Sequence, residues 1–352
     1  MKTFSPFSWF HHFEICNLHF SFFIYPVLCA LGCSPQSTVH SPQSSRSSLT
    51  LLAVGDVMVG RAVGETALEH TPDYPFEKVA GAGQGADLVF GNLECAVTAR
   101  DFAVHKAYRL KADPSVVPAL SAAGFDVLSL ANNHTVDCGK LGLMETISSL
   151  HEAGILTVGA GADAAEARKP AMAEVRGLKV AFLAYTDVPD GSGAFIARGD
   201  SAAVVEAVAL AKKQVDVVVI SFHWGEEYAT APLSYQRALA HAVIEAGAAL
   251  VIGHHPHVIE GVERYKRGLI AYSLGNFVFD QHEERGKRGL VLACELSVLG
   301  VGKAVLAPVV IRENQTRPPE PWEVVDILRT VERYSAVLGT EVDIRYGLGW
   351  IE

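Results

Sequence analysis

The chain has 352 residues, 49% hydrophobic and 19% charged, with a net charge of −10. That length and apolar content suit one large buried core, alone or with a small annex. No basic stripe with interleaved aromatics occurs, which excludes a nucleic-acid groove, and an acidic surface disfavours non-specific polyanion binding.

The first 33 residues stand apart, with only Lys2 and Glu14 charged. The stretch from Ile15 to Leu31 is aromatic and aliphatic, broken by Asn17, His19, Ser21 and Pro26, and it ends in Ala30-Leu31-Gly32-Cys33. A weakly basic start, an apolar middle and small residues at the end predict an export signal. Gly32-Cys33 resembles a lipoprotein processing box with Cys33 lipidated, although Ala30 stands where Leu is usual. An uncleaved anchor and a misplaced start are the alternatives. The expected location is the cell envelope, held to the membrane by lipid or signal. Residues 34–48 are rich in Ser, Pro and Gln, a composition that reads as a flexible tether. The folded domain is expected over 49–352.

From there strand and helix signals alternate. Apolar runs predict strands at 49–55, 87–92, 125–131, 178–185, 215–222, 248–253 and 268–274. Helical patterns lie near 75–80, 115–123, 140–153, 200–213 and 232–246. This alternation implies an α/β fold with a largely parallel sheet. After residue 285 the pattern changes. Two strands at 289–297 and 303–312, joined by a turn at 299–302, read as an antiparallel addition, with a helix at 321–337 behind them. Cys95, Cys138 and Cys294 are too few and odd in number for a disulfide framework. One bridge between Cys95 and Cys138 and three buried thiols are both open.

Most of these strands end in polar clusters. Ligands of open α/β sheets bind outside the carboxyl ends of strands, so the clusters should meet on one rim. Gly55-Asp56 and Gly91-Asn92-Leu93-Glu94 supply carboxylates, or turns and helix caps. Asn132-Asn133-His134 gives Asn133 as an oxygen ligand and His134 as a proton donor, with Asp137 orienting the imidazole. His223 ends a very apolar strand, as ligand or as satisfied core residue. The strongest signal is Gly253-His254-His255-Pro256-His257. Histidines at i and i+2 on an extended segment, fixed by proline, can address two adjacent metals, so His255 and His257 are preferred to His254. Oxygen and imidazole donors together suit one or two divalent ions, Mn, Fe or Zn before Ca. Arg61, Asn92, Lys106, Arg109 and Asn276 are candidate substrate contacts, the arginines as anion clamps or plain surface charges.

The stretches VGDVMVGR, GNLE, LKADP, ANNHTVDCG, SFHWGEEY, GHHPHVIEG and YSLGNFVFD, in this order across 49–285, resemble the CapA-type poly-γ-glutamate capsule synthesis proteins. That family is similar in turn to the calcineurin-like metallophosphoesterases. The resemblance implies a metallophosphoesterase-like β-sandwich of two mixed sheets flanked by helices, with two metals at the rim. It implies that Asp56 and His257 hold the first metal, that Glu94 bridges, and that Asn133, His223 and His255 hold the second. His134 would protonate a leaving group. Met58 stands where the phosphoesterases carry a metal-binding His, which leaves the first site a ligand short. Three functions follow as expectations: a metal-dependent hydrolase acting on an anionic envelope polymer, a non-catalytic polymer tether supporting a membrane synthetase, and a phosphoesterase for nucleotides or phosphorylated envelope compounds.

Overall fold

The computed structural model describes residues 48–189 and 193–352. The export signal, Cys33 and all of the tether but Ser48 lie outside the described residues. Among the described residues no helix is long and apolar enough to cross a membrane.

The strand Ser48–Val57 is buried over nearly its whole length. It pairs in parallel with Leu88–Leu93, which carries the ladder on to Val127–Ser129 and Leu156–Val158. Its other edge pairs antiparallel with Arg288–Ser297, which hairpins into Gly300–Arg312. Asp343–Arg345 and Leu348–Ile351 close that side. The expected antiparallel addition is therefore part of the first sheet.

A second sheet runs in the order Val262–Tyr265, Gly268–Ala271, Leu250–His254, Val217–His223, Leu178–Thr186 and Ala171–Val175. Its four inner strands are parallel and its two edges antiparallel. The fold is thus two mixed sheets, not one largely parallel sheet as the strand pattern alone implied.

Strand alternation decides what fills each side. Leu250 and Ile252 join the large core that includes Leu52, Phe90 and Leu292, whereas Val251 faces a second core with Val208 and Val243. Phe90 and Phe182 stack across the sandwich at 5.7 Å between ring centroids. Helices Ser201–Lys212 and Ser234–Ala246 cover the outer face of the second sheet. Helix Pro321–Val337 starts with Pro at its first turn and a capping box between Glu320 and Glu323. It packs against strands of both sheets.

The helix Arg61–Glu69 escapes the sequence pattern. Gly60 at its N-cap offers no side-chain bond, and Gly64 weakens its interior. The described cysteines are all free and buried, and burial pushes the Cys95 thiol up to about 12.

Candidate metal centre

The sheet registers bring the polar strand ends together. Asp56 is opposite Asn92 on one side and Asn276 on the other, and His254 is opposite His223. This packing needs very close backbone approach. A Cβ on Gly55 would lie 2.0 Å from the Gly275 carbonyl oxygen, and one on Gly253 would lie 1.8 Å from that of Tyr272.

Two triads result. Asp56, Glu94 and His257 each offer a ligand atom to one point, and Glu94, His223 and His255 to another, with the atoms of each triad within 4.8 Å of one another. Glu94 belongs to both. Its Oε1 lies 3.6 Å from His257 Nε2 and 3.8 Å from His223 Nε2. Asn133 joins the second triad through Oδ1, 2.9 Å from His223 Nε2. The structure therefore gathers all six residues expected to bind metal.

The His255-Pro256-His257 segment is not extended, as the sequence pattern suggested. His255 and His257 both take left-handed backbone, φ 95° and 59°. Such conformations strain a non-glycine residue and persist only when the surroundings enforce them. Here they send the two histidines that flank Pro256 to different triads.

The electrostatics fit divalent cations. Glu94 is fully buried, and neither carboxylate oxygen has a hydrogen-bond partner. Burial holds its pKa well above the usual range. Burial also lowers His223 strongly and His255 to about 3, with a neighbouring imidazole adding to each. Both imidazoles are thus neutral, the form that ligates. Burial opposes the charge on His257, but Glu94 and Asp56 outweigh it and raise the group to about 10. Burial likewise works against the Asp56 carboxylate, and His254 and His257 overcome it, taking Asp56 well below its ordinary value. A buried carboxylate with two unused oxygens among imidazoles costs several kcal/mol unless a cation neutralises it.

Several expected substrate contacts do other work. Asn92 is fully buried, donates to Asp56 Oδ1 at 2.9 Å and accepts from Asn132 Nδ2 at 3.1 Å. Asn276 is also buried; its Oδ1 accepts from His257 Nδ1 at 3.0 Å, and its Nδ2 donates to the Gly286 carbonyl. A carbonyl on the far ring nitrogen fixes the orientation of a metal-binding imidazole. Both amides are buried and bonded to residues expected to bind metal, Asn92 to Asp56 and Asn276 to His257.

Arg61 forms two bonds to Asp280, at 2.9 and 2.8 Å, so its fork is engaged. Arg109 is exposed over the Phe102 ring at 4.7 Å. Lys106 pairs with Asp137 at 2.6 Å and donates to the Asn133 carbonyl at 2.5 Å, pinning the 101–109 loop to the rim.

His134 Nδ1 lies 2.9 Å from Asp137 Oδ2, which also accepts from the Leu110 amide. Burial lowers the His134 pKa and Lys106 adds to this, against the pull of Asp137.

Three contributors fall outside the set of residues expected to form the site. His254 is fully buried, 3.2 Å from Asp56 Oδ1. Strand alternation was the available signal, since His254 follows Leu250 and Ile252 onto the face between the sheets. Asn132 ties the Asn132-Asn133-His134 turn to the Gly91–Glu94 segment through Asn92 and the Leu93 carbonyl. Thr186 donates to the His223 carbonyl at 2.9 Å. Met58, by contrast, is buried, and its sulfur accepts from the Gly60 amide at 3.2 Å.

Two facing mixed sheets with helices outside and carboxylates and imidazoles at the rim define a metallophosphoesterase-like fold. A novel phosphatase from Mycoplasma pneumoniae shares it, with a TM-score of 0.52 and 14% identity over 78% of this chain and 96% of that one. The chain belongs to the family described as "Bacterial capsule synthesis protein PGA_cap", which it matches over residues 50–281. The capsule biosynthesis protein CapA of Bacillus anthracis is 36% identical over 77% of this chain and 69% of its own length. The PGA biosynthesis protein CapA of Bacillus subtilis is 36% identical over 75% and 72%.

Proposed function

We propose that this protein is an exported accessory factor in the synthesis of an anionic, poly-glutamate-type envelope polymer, and that its rim is a divalent-metal hydrolase centre. The observation that carries the reading is the pair of triads sharing one buried, unpartnered carboxylate, Glu94. Asp56, Glu94 and His257 would hold one ion, and Glu94, Asn133, His223 and His255 another. Mn, Fe and Zn suit that donor set best. A bound divalent ion supplies Lewis acidity toward a phosphoryl or acyl oxygen and lowers the pKa of its water. Membrane attachment through the N-terminal segment and a synthetase partner belong to the same reading.

The residues of the chain do the rest. Asp137 fixes the His134 imidazole by accepting a hydrogen bond from Nδ1, which leaves Nε2 to carry a proton to a leaving group. Lys106 holds Asp137 and the Asn133 carbonyl, so it sets both the acid and a ligand. The lowered His134 pKa means that the protonated form is confined to acidic pH. Turnover of a γ-glutamyl or phosphodiester substrate should therefore fall as pH rises through a value below 6.5. Replacing Lys106 with Met removes a charge that lowers His134, so the falling limb should move to higher pH. His134→Ala should cost about 100-fold or more in kcat. Turnover unchanged in His134→Ala, or a limb that moves down in Lys106→Met, would refute this assignment.

One observation favours a second reading, a non-catalytic polymer-binding protein. Met58 turns its sulfur to its own backbone and leaves the first triad without a fourth side chain. Polymer retention that survives His134→Ala, with no turnover in the manganese-loaded wild type, would establish it.

A further inference from the structure

Outside the metal centre a cavity of about 180 Å³ opens between helix Pro321–Val337, the 285–288 turn and the segment following His257. Its polar lining residues are Arg285, Arg288, Arg333, Thr230, Thr330 and Tyr334, and no carboxylate-bearing residue lines it. Three arginines lining one small cavity are unexpected in a chain of net charge −10.

Their partners leave capacity to spare. Arg288, half-buried, gives one nitrogen to the exposed Asp326 at 2.6 Å, and the exposed Arg285 turns Nε and Nη2 to the single Oε1 of Glu283 at 2.8 and 2.7 Å. Arg333 is exposed, lies 5.4 Å over the Tyr334 ring and forms no ion pair among the described residues. Guanidinium forks match carboxylate and phosphate oxygens bidentately. The volume is below the roughly 300 Å³ of sites that enclose whole small molecules. It suits one oxyanion group carried on something larger.

The cavity is joined to the metal rim by two segments. The Tyr228 hydroxyl donates to Gln281 at 3.1 Å. Two residues beyond Tyr228 is Thr230, and four beyond Gln281 is Arg285, both in the cavity wall. Gly286, between the two wall arginines, offers its carbonyl to Asn276, which also holds His257. The Tyr228 amide donates to the Pro256 carbonyl at 2.8 Å, so that segment runs from beside His255 and His257 to the cavity wall.

We propose that this cavity is an oxyanion subsite that takes one carboxylate of an extended polyanion whose neighbouring unit lies at the metal centre. The inference rests on the polymer reading above. With one unit at the metal centre and another in the cavity, the subsite should favour oligomers over a single glutamate and act as a length sensor.

The test is calorimetric titration of the manganese-loaded full chain with glutamate, with oligo-γ-glutamate of about ten units and with inorganic phosphate, using wild type and Arg333→Gln. Arg333 is exposed, so the variant should fold, and its thermal midpoint checks this. Loss of one charge-assisted bond should weaken the oligomer about tenfold and leave glutamate unchanged. Adding Arg285→Gln should weaken it further. Equal oligomer affinity in wild type and variants would overturn the subsite while leaving the polymer reading intact. If wild type ignores the oligomer but binds phosphate in an Arg333-dependent way, the cavity is an oxyanion site for a free ion, and the polymer reading fails instead. No Arg333-dependent binding of either probe overturns the subsite outright.

Discussion

Changing Glu94 to Gln is expected to strip metal from both triads at once. Asp56 and the three imidazoles serve one triad each, so His257→Ala should empty the first and His223→Ala the second, each leaving metal at its neighbour. An amide keeps the volume of Glu94 and one oxygen, but it loses the negative charge that two cations would share. Elemental analysis after manganese loading and gel filtration should show the double loss in Glu94→Gln, to below about a tenth of wild type, and partial loss in each histidine variant. Stability gives a second readout. A ligand bound only by the folded state adds about 2.7 kcal/mol at a concentration 100 times its Kd. Wild type should gain that order of stability on adding manganese, and Glu94→Gln should gain almost none. Without metal the variant should be no less stable than wild type, because the carboxylate it replaces is buried with both oxygens unpartnered. Metal retention in Glu94→Gln close to wild type would break the two-triad assignment.

The parts of this centre legible in sequence are those that depend on residue type and strand position. Val217–His223 and Leu250–His254 are apolar runs with a polar end, so their place and polarity follow from pattern alone. Hence Asp56, Glu94, His223, His255 and His257 could be gathered on one rim before any coordinates. Partner choice was not legible, because it is set by contacts between distant segments. The His255 amide meets Asp56 across 199 residues, and Arg61 meets Asp280 across 219. From sequence, Arg61 looks free to clamp an anion; in the fold an aspartate already holds it. Asn92 and Asn276 look like pocket residues because amides at strand ends often are. Register instead sets them on either side of Asp56, buried beneath the ligands. Edge strands were missed for a different reason. Ala171–Val175 alternates half-buried and exposed positions with Ala, Met and Glu, residues that favour helices over strands. Only pairing with Leu178–Thr186 makes it a strand. The two-sheet division was likewise carried by the family resemblance, since each run of parallel strands reads the same in one sheet or two.

A large loss of stability should come from a single methyl group at Gly55. The Gly55 φ is not in the left-handed region, so Ala there meets no intrinsic backbone strain, and the cost is wholly steric. Its Cβ would sit 2.0 Å from the Gly275 carbonyl oxygen and 2.8 Å from the carbonyl carbon, and neither backbone atom can rotate away. The Leu274–Asn276 segment must move off. That movement breaks the bond from the Asp56 amide to the Gly275 oxygen, now 3.0 Å, and shifts Asn276 away from His257. Overpacking that forces backbone displacement typically costs about 1–3 kcal/mol, and the loss of a buried hydrogen bond adds about 1–3 more. The expected destabilisation is therefore roughly 4 kcal/mol, read as a lower urea midpoint in chelator so that metal linkage does not contribute. Gly154→Ala provides the contrast. Nothing lies within 4 Å of its added methyl, but φ is 82°, so the cost should be about 1 kcal/mol of backbone strain alone. If the two variants lose the same stability, close packing at Gly55 is not what holds the two strand ends together. If Gly55→Ala loses several times more, and its manganese affinity falls with it, the sheet register and the metal centre are one structural unit: the same bare backbone that lets Ser48–Val57 pass the 274–276 segment also sets Asp56 and His257 within reach of a common ion.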